Sequence, residues 1–339
     1  MKILFGLLFP FGLIYGWITA VRNLFFDWGI FDVYEIPGKS IGIGNLNVGG
    51  SGKSPLTLYL MKLLQNEFPI YILSRGYGRT TKGYFELSNA HAASQVGDEP
   101  LMYFQHTSEN DSVHVCEKRR IGLAKLGWPK PGILLLDDVF QHRAVHPGLS
   151  ILVTDFSKPF FTDYVFPMGR LRESRNGVKR ASMVIFTKCP DPISEADKAR
   201  IKSRMQKYKV PYFFSHIVYL ERYSISNLEV NNPNKVLLVS GIANPKPLID
   251  HLKKTMEVIP ISFGDHHRFS VQDIEAIHKK FDTFENTKTI ILTTEKDFMR
   301  LKNSPLELHI KNHPWYVQPM SVAFEDAQTF HSIIYDYVN

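Results

Sequence analysis

The sequence predicts an α/β protein: a doubly wound, mostly parallel sheet in a larger first domain, followed by a second, smaller α/β domain. Three observations predict it. Short strand-like runs recur at 41–43, 70–73, 133–136, 150–154 and 183–186, separated by turns and helical patterns, the rhythm of successive βαβ units. The first run leads through a glycine-dense turn into a helix. After a polar, turn-rich stretch at 219–234, the rhythm restarts at Lys235-Val236-Leu237-Leu238-Val239. A chain of 339 residues accommodates two such domains.

The amino terminus comes first. Residues 3–21 carry no charge and are rich in Leu, Ile and Phe, close to the ~20 residues of a membrane span. Pro10, Gly6, Gly12 and Gly16 interrupt them, and Lys2 alone is a poor basic flank for a signal peptide. The pattern continues through Phe26 with Trp17 and Trp28 near its ends, as in a helix lying in an interface. Residues 1–28 are therefore expected to form a helix on a membrane surface, ahead of a first domain at 29–222 and a second at 223–339.

The chemistry is organised around IGIGNLNVGGSGKSPLT (41–57). A strand, a glycine-rich loop and a helix start follow in order, so successive backbone N–H groups and the helix N-terminus cradle phosphate oxygens. Asn47, Val48, Gly49, Gly50, Ser51, Gly52, Lys53 and Ser54 form that cradle. Lys53 is placed for the β- and γ-phosphates and the Ser54 hydroxyl for Mg²⁺. The first position of the G-x-x-x-x-G-K-[ST] pattern is Asn47 instead of glycine, a residue that tolerates left-handed backbone better than most.

The strand at 70–73 ends in Ser74-Arg75-Gly76-Tyr77-Gly78-Arg79, a basic loop where open α/β sheets place ligand contacts. Asp98, in Val96-Gly97-Asp98-Glu99-Pro100, reads equally as the N-cap of the next helix or as a general base. Lys118-Arg119-Arg120 is a basic helix face, solvated or in contact with an anionic group. The buried run Ile133-Leu134-Leu135-Leu136 ends in Asp137-Asp138, the placement of a Walker B acid that holds Mg²⁺ directly or through water. Together with the phosphate loop it makes ATP and Mg²⁺ the expected cofactors.

Farther along, Thr187-Lys188 is similar to a guanine-reading loop, but its aspartate is one place late, at Asp191. Asp265-His266-His267 lacks spaced partners for a metal site and reads more naturally as an acid–base pair. Composition is that of a folded protein, 44% hydrophobic and 22% charged, which argues against disorder. Two distant cysteines argue against a zinc or disulfide framework. A net charge of +7 points to an acidic partner: nucleic acid, a phosphorylated metabolite or an anionic membrane.

With these segments in hand, the chain resembles the tetraacyldisaccharide 4′-kinases, the lipid A 4′-kinases of Gram-negative bacteria. NVGGSGKSP (47–55), SRGYGR (74–79), GDEP (97–100), LDDVFQHR (136–143), GRLRES (169–174), GIANP (241–245), DHHRF (265–269) and TEKD (294–297) carry the resemblance. It implies a P-loop NTPase-type domain joined by a hinge to the smaller domain. It also implies a monotopic enzyme on the cytoplasmic face of the inner membrane, transferring the γ-phosphate of MgATP to the 4′-hydroxyl of a tetraacyldisaccharide 1-phosphate. Nucleic acid and an obligate protein partner are not implied. Residue by residue, Asp98 is then the base, assisted by His266, with His267 left open. Mg²⁺ lies with Ser54, Asp137 or Asp138, and Glu173. Arg75, Arg119, Gln141 and Arg172 are the expected substrate contacts. Arg170 departs from the proline often found at its place.

Overall fold

The computed structural model describes residues 2–226, 228–284 and 288–339. The chain divides into two compact units: 1–75, 108–218 and 321–339 make the first, and 76–107 with 219–320 the second. The boundary between the two α/β domains is expected at 222/223. The crossing falls close to it, at 218/219, but two segments depart from sequence order. Residues 76–107 pack through helices Ala93–Val96 and Asp98–Phe104 against helix Glu295–Leu301. The closing helix Ala327–Val338 joins the first unit, where buried Phe330, Ile334 and Val338 form its apolar stripe. Local periodicity identifies such helices but not the sheet that covers them.

In the first unit seven strands run parallel, in the order Tyr212–Tyr219, Met183–Thr187, Leu149–Asp155, Lys39–Asn45, Ile133–Asp137, Ile70–Ser74, Ser112–Val115. The chain winds outward on one side of Lys39–Asn45, then returns and continues on the other, so this strand is the switch point where doubly wound sheets bind ligands. Burial on both faces explains the unbroken apolar runs: every residue of Ile133–Asp137 and Met183–Thr187 is buried.

The switch-point strand carries glycines because its neighbours crowd it. A Cβ on Gly44 would meet Phe140 Cβ at 2.5 Å and its backbone nitrogen at 2.8 Å. The close approach brings the segment after Asp137 alongside the root of the phosphate loop. Gly44→Ala is therefore expected to cost about 1–3 kcal/mol by overpacking. Denaturant unfolding checks this, and a midpoint unchanged from wild type would contradict the close approach.

In the second unit the parallel strands Glu257–Ser262, Lys235–Ser240, Thr289–Thr294 and Trp315–Gln318 are joined by antiparallel Tyr223–Ser224. The stretch read as linker thus contributes an edge strand. Val236, Leu238, Ile290, Leu292, Leu248 and Leu252 form the core.

The amino-terminal helix runs unbroken over Lys2–Asp27 with Pro10 inside it. Its inner face is tied to the first unit. Thr19 is buried, the Tyr15 hydroxyl donates to the Arg172 carbonyl at 3.1 Å, and Asn23 Nδ2 donates to Glu173 Oε2 at 2.7 Å. Phe11, Leu13, Ile14, Trp17 and Ile18 are exposed. No helix of the described residues is long and apolar enough to cross a membrane.

Candidate active site

The phosphate loop follows strand Lys39–Asn45 and ends at helix Lys53–Leu64. Gly52, the residue before that helix, has φ +89°, and a Cβ there would press on Thr187 at 3.1–3.3 Å, so only glycine fits without strain. Asn45 braces the loop from below, its Nδ2 donating to the Asn47 carbonyl at 2.6 Å and to Ser51 Oγ at 2.9 Å. From the side, the Thr187 hydroxyl donates to the Ser51 carbonyl at 2.6 Å, and Lys188 Nζ to the Gly50 carbonyl. Asn47 pairs with Leu171 in an isolated antiparallel bridge, and its Nδ2 donates to Asp163 Oδ2 at 3.0 Å. That extended setting explains why glycine is not needed at this first position. Val48, Gly49 and Gly50 lie open to solvent, so the rim of the cradle is available to a ligand.

At the mouth of the loop lies a charged cluster. Lys53 Nζ is 3.3 Å from Asp138 Oδ1. Arg172 Nη1 donates to both oxygens of Asp138 at 3.0 and 3.1 Å and to Gln141 Oε1 at 3.1 Å. Burial pushes the Asp138 carboxyl up, but the charges of Lys53 and Arg172 outweigh it and hold it below the usual carboxylate range. Asp137, the last residue of its strand, is buried and accepts from the Ser74 hydroxyl at 3.2 Å. Arg75 follows that serine and is exposed. Burial, then the charges of Arg119, Arg75 and Arg22, drive the nearby His142 down to about 4, so the imidazole is neutral at pH 7. A region this positive suits an anion.

Two expected contacts take other roles. Arg119 is 2% exposed, its Nη1 and Nη2 donating to the carbonyls of Cys116 and Asp137, both at 2.7 Å. Its guanidinium holds the end of strand Ile133–Asp137 from inside and is not presented to a substrate. Glu173, expected near the metal, is fully buried. Its oxygens accept from Asn23, Arg180 and Gln141 at 2.7, 2.8 and 3.3 Å, which fixes it as an anchor for the amino-terminal helix. Among the described residues no group of three or more His, Cys, Asp or Glu is gathered that could hold a metal. Mg²⁺ does not require one, since it is bound by one or two carboxylates with water and substrate phosphates. Asp137, Asp138 and the Ser54 hydroxyl are oxygen donors of that kind.

The second unit holds the other cluster. Asp98 opens helix Asp98–Phe104, but the capping position belongs to Gly97. The Asp98 side chain turns elsewhere: Oδ2 meets His266 Nδ1 at 3.0 Å and accepts from Arg300 Nε and Nη2 at 2.9 and 2.7 Å. Oδ1 accepts the Glu99 amide at 2.9 Å. Burial pushes this carboxyl up, but the His266 hydrogen bond and the charges of Lys296 and Arg300 prevail, holding it well below the usual range. It is His266, and not His267, that reaches Asp98. His267 pairs with Asp273 at 3.1 Å, within the cap of helix Val271–Phe281. His266 has φ +56°, and its ring packs edge-on against Tyr77. Asn45, Thr187, Lys188, Asp163 and Arg300 were not singled out from the sequence as site residues. Thr187-Lys188 and the TEKD run were the available signals for two of these neighbourhoods.

The family described as Tetraacyldisaccharide-1-P 4′-kinase (LpxK) matches residues 4–339. The chain is similar to the tetraacyldisaccharide 4′-kinase of Flavobacterium psychrophilum, 39% identical over 100% of this chain and 98% of the relative. It is also similar to that of Phocaeicola vulgatus, 37% identical over 98% and 94%. Among solved structures it is similar to LpxK from Aquifex aeolicus, crystallised in complex with ATP. The TM-score is 0.75 at 26% identity, covering 99% of this chain and 100% of the other.

Proposed function

This chain belongs to the tetraacyldisaccharide 4′-kinase family, an ATP-dependent kinase of lipid A synthesis, and we propose that it phosphorylates the 4′-hydroxyl of a tetraacyldisaccharide 1-phosphate with Asp98 as base. The observation that supports the assignment most is the Asp98–His266 pair, two residues 168 apart in sequence that share a hydrogen bond. Asp98 accepts a hydrogen bond from the acceptor hydroxyl and orients its oxygen toward the γ-phosphorus. The new bond forms between that oxygen and phosphorus as the bond to the β,γ-bridging oxygen breaks, and the hydroxyl proton passes to the carboxylate. ADP leaves. Because the transition state is loose, positioning and charge neutralisation carry the rate.

Lys53 and Arg172 act on the phosphates, Lys53 as a point charge and Arg172 as a fork. Asp138 or Asp137, with the Ser54 hydroxyl, would hold Mg²⁺, which neutralises charge developing on the phosphate oxygens. Asp138 is the more accessible acid, and it joins Lys53 to Arg172. Gln141, held by Arg172, and exposed Arg75 remain the proposed substrate contacts. The test is incubation of the protein with [γ-³²P]ATP, Mg²⁺ and detergent-dispersed tetraacyldisaccharide 1-phosphate. Label in the lipid is expected; ATP hydrolysis without labelled lipid would overturn the acceptor assignment.

We propose further that the enzyme is monotopic on the cytoplasmic face of the inner membrane. Support comes from the helix Lys2–Asp27, whose inner face is occupied by Tyr15, Thr19 and Asn23 while its apolar outer face is open. Each large apolar side chain transferred from water contributes about 1.5–3 kcal/mol. Combined Phe11→Ser, Trp17→Ser and Ile18→Ser substitutions are therefore expected to weaken sedimentation with phosphatidylglycerol-containing vesicles by at least ~10-fold. They leave the inner-face contacts intact, so unchanged partitioning would sink the surface-helix assignment.

A further inference from the structure

TEKD and the helix it opens have no part in the mechanism so far. Thr294 caps helix Glu295–Leu301, its hydroxyl accepting the Asp297 amide. Asp297 is fully buried and accepts the Gly241 amide at 3.1 Å on both oxygens and the Thr294 hydroxyl at 2.7 Å. Three residues on, and hence on the same helix face, stands Arg300. Its Nη1 donates to Asp297 Oδ1 at 2.7 Å and to the Gly241 carbonyl at 3.0 Å. The same carbonyl accepts the His266 amide at 3.1 Å. One residue thus ties Arg300 to the backbone that presents His266. The opposite edge of the guanidinium, Nε and Nη2, closes on Asp98 Oδ2. Arg300 is 7% exposed, so the fork has little freedom to turn.

We infer that Arg300 is the positioning residue of the Asp98–His266 pair, fixing Oδ2 so that Oδ1 is the oxygen offered to the acceptor hydroxyl. This rests on the reading of Asp98 as base. Oδ2 is occupied by three N–H contacts, two from Arg300 and one at His266 Nδ1. Oδ1 takes the Glu99 amide and, as a carboxylate oxygen, has a second lone pair. Lys296 completes the arrangement. Its Nζ pairs with Glu99 Oε1 at 3.0 Å and lies 3.4 Å from His266 Nε2. An ammonium only donates, so Nε2 accepts and Nδ1 carries the proton directed at Asp98.

The test uses the full-length protein in the labelled-lipid assay. Arg300→Ala is expected to lower kcat about 10²-fold, the usual consequence of misplacing a reacting group by an ångström, while KM for ATP is unchanged. The cations facing Asp98 are Lys296 and Arg300, beside the His266 imidazole, with Glu99 and Asp297 beyond them. Loss of one cation disfavours the carboxylate form, so the acid limb of the kcat/KM profile should move to higher pH. Millimolar guanidinium should restore part of the rate, and Arg300→Lys, one donor in place of a fork, should fall between. A kcat of Arg300→Ala within threefold of wild type would overturn the inference. So would a loss independent of pH, not rescued by guanidinium and matched by a lowered melting temperature in both variants, since that is the mark of a structural ion pair. Failure of the underlying reading is seen separately, as an Asp98→Asn variant that retains turnover.

Discussion

Lys53→Ala is expected to lower kcat by about 10²-fold or more, the scale on which charge-stabilising groups at transferring phosphates act. The side chain is 13% exposed and its ammonium lies 3.3 Å from Asp138 at the first residue of helix Lys53–Leu64. In the proposed mechanism it neutralises charge on the transferring group, and its removal also frees Asp138 from one of its two cations. Lys53→Arg should not restore the rate, because a planar fork cannot substitute for a compact charge in a site shaped by backbone. Steady-state kinetics with ATP as varied substrate checks this. Near-normal turnover in Lys53→Ala would refute the role of the phosphate loop.

Asp98→Asn is expected to cost 10²- to 10⁴-fold in kcat, the range of general-base effects, with KM for ATP little changed. The substitution keeps shape and one acceptor oxygen, so it removes the charge without opening a cavity. A large loss of ATP affinity with kcat preserved would count against the assignment. The pH dependence has a definite sign. The folded-state pKa of Asp98 lies well below that of an unfolded aspartate, near 3.9. Asp98 therefore contributes stability above pH ~3.9 that is lost as pH falls through the folded value. Over this range the unfolded aspartate takes up a proton while the folded carboxylate stays ionised beside Arg300, so the unfolded state is the one that gains. Wild type should accordingly lose more stability than Asp98→Asn between pH 5 and 3, read as the difference in their unfolding midpoints.

The α/β class, the phosphate loop and the acids ending Ile133–Asp137 were legible because each is written locally. Apolar runs of four or five residues mark buried strands, glycines mark a backbone that must approach a ligand, and a carboxylate at a strand end marks a ligand edge. Even the exposed apolar face of the first helix follows from residues adjacent in sequence. Asp98 illustrates the boundary. Its own segment allowed a helix cap as readily as a base, and the side chain is committed to His266 and Arg300, far away in the chain.

What the tertiary structure alone decided concerns partners. It distinguished His266 from His267, because one faces Asp98 and the other a helix cap. It turned Arg119 inward to brace a strand and Glu173 into an anchor for the amino-terminal helix, although both read as ligand contacts. It grouped residues 76–107 with the second unit, and it gave Arg300 a place beside Asp98. The physical reason is common to all of these. A motif specifies which groups are available, but the strength and role of a charge depend on burial and on which opposite charges the fold brings within ~4 Å.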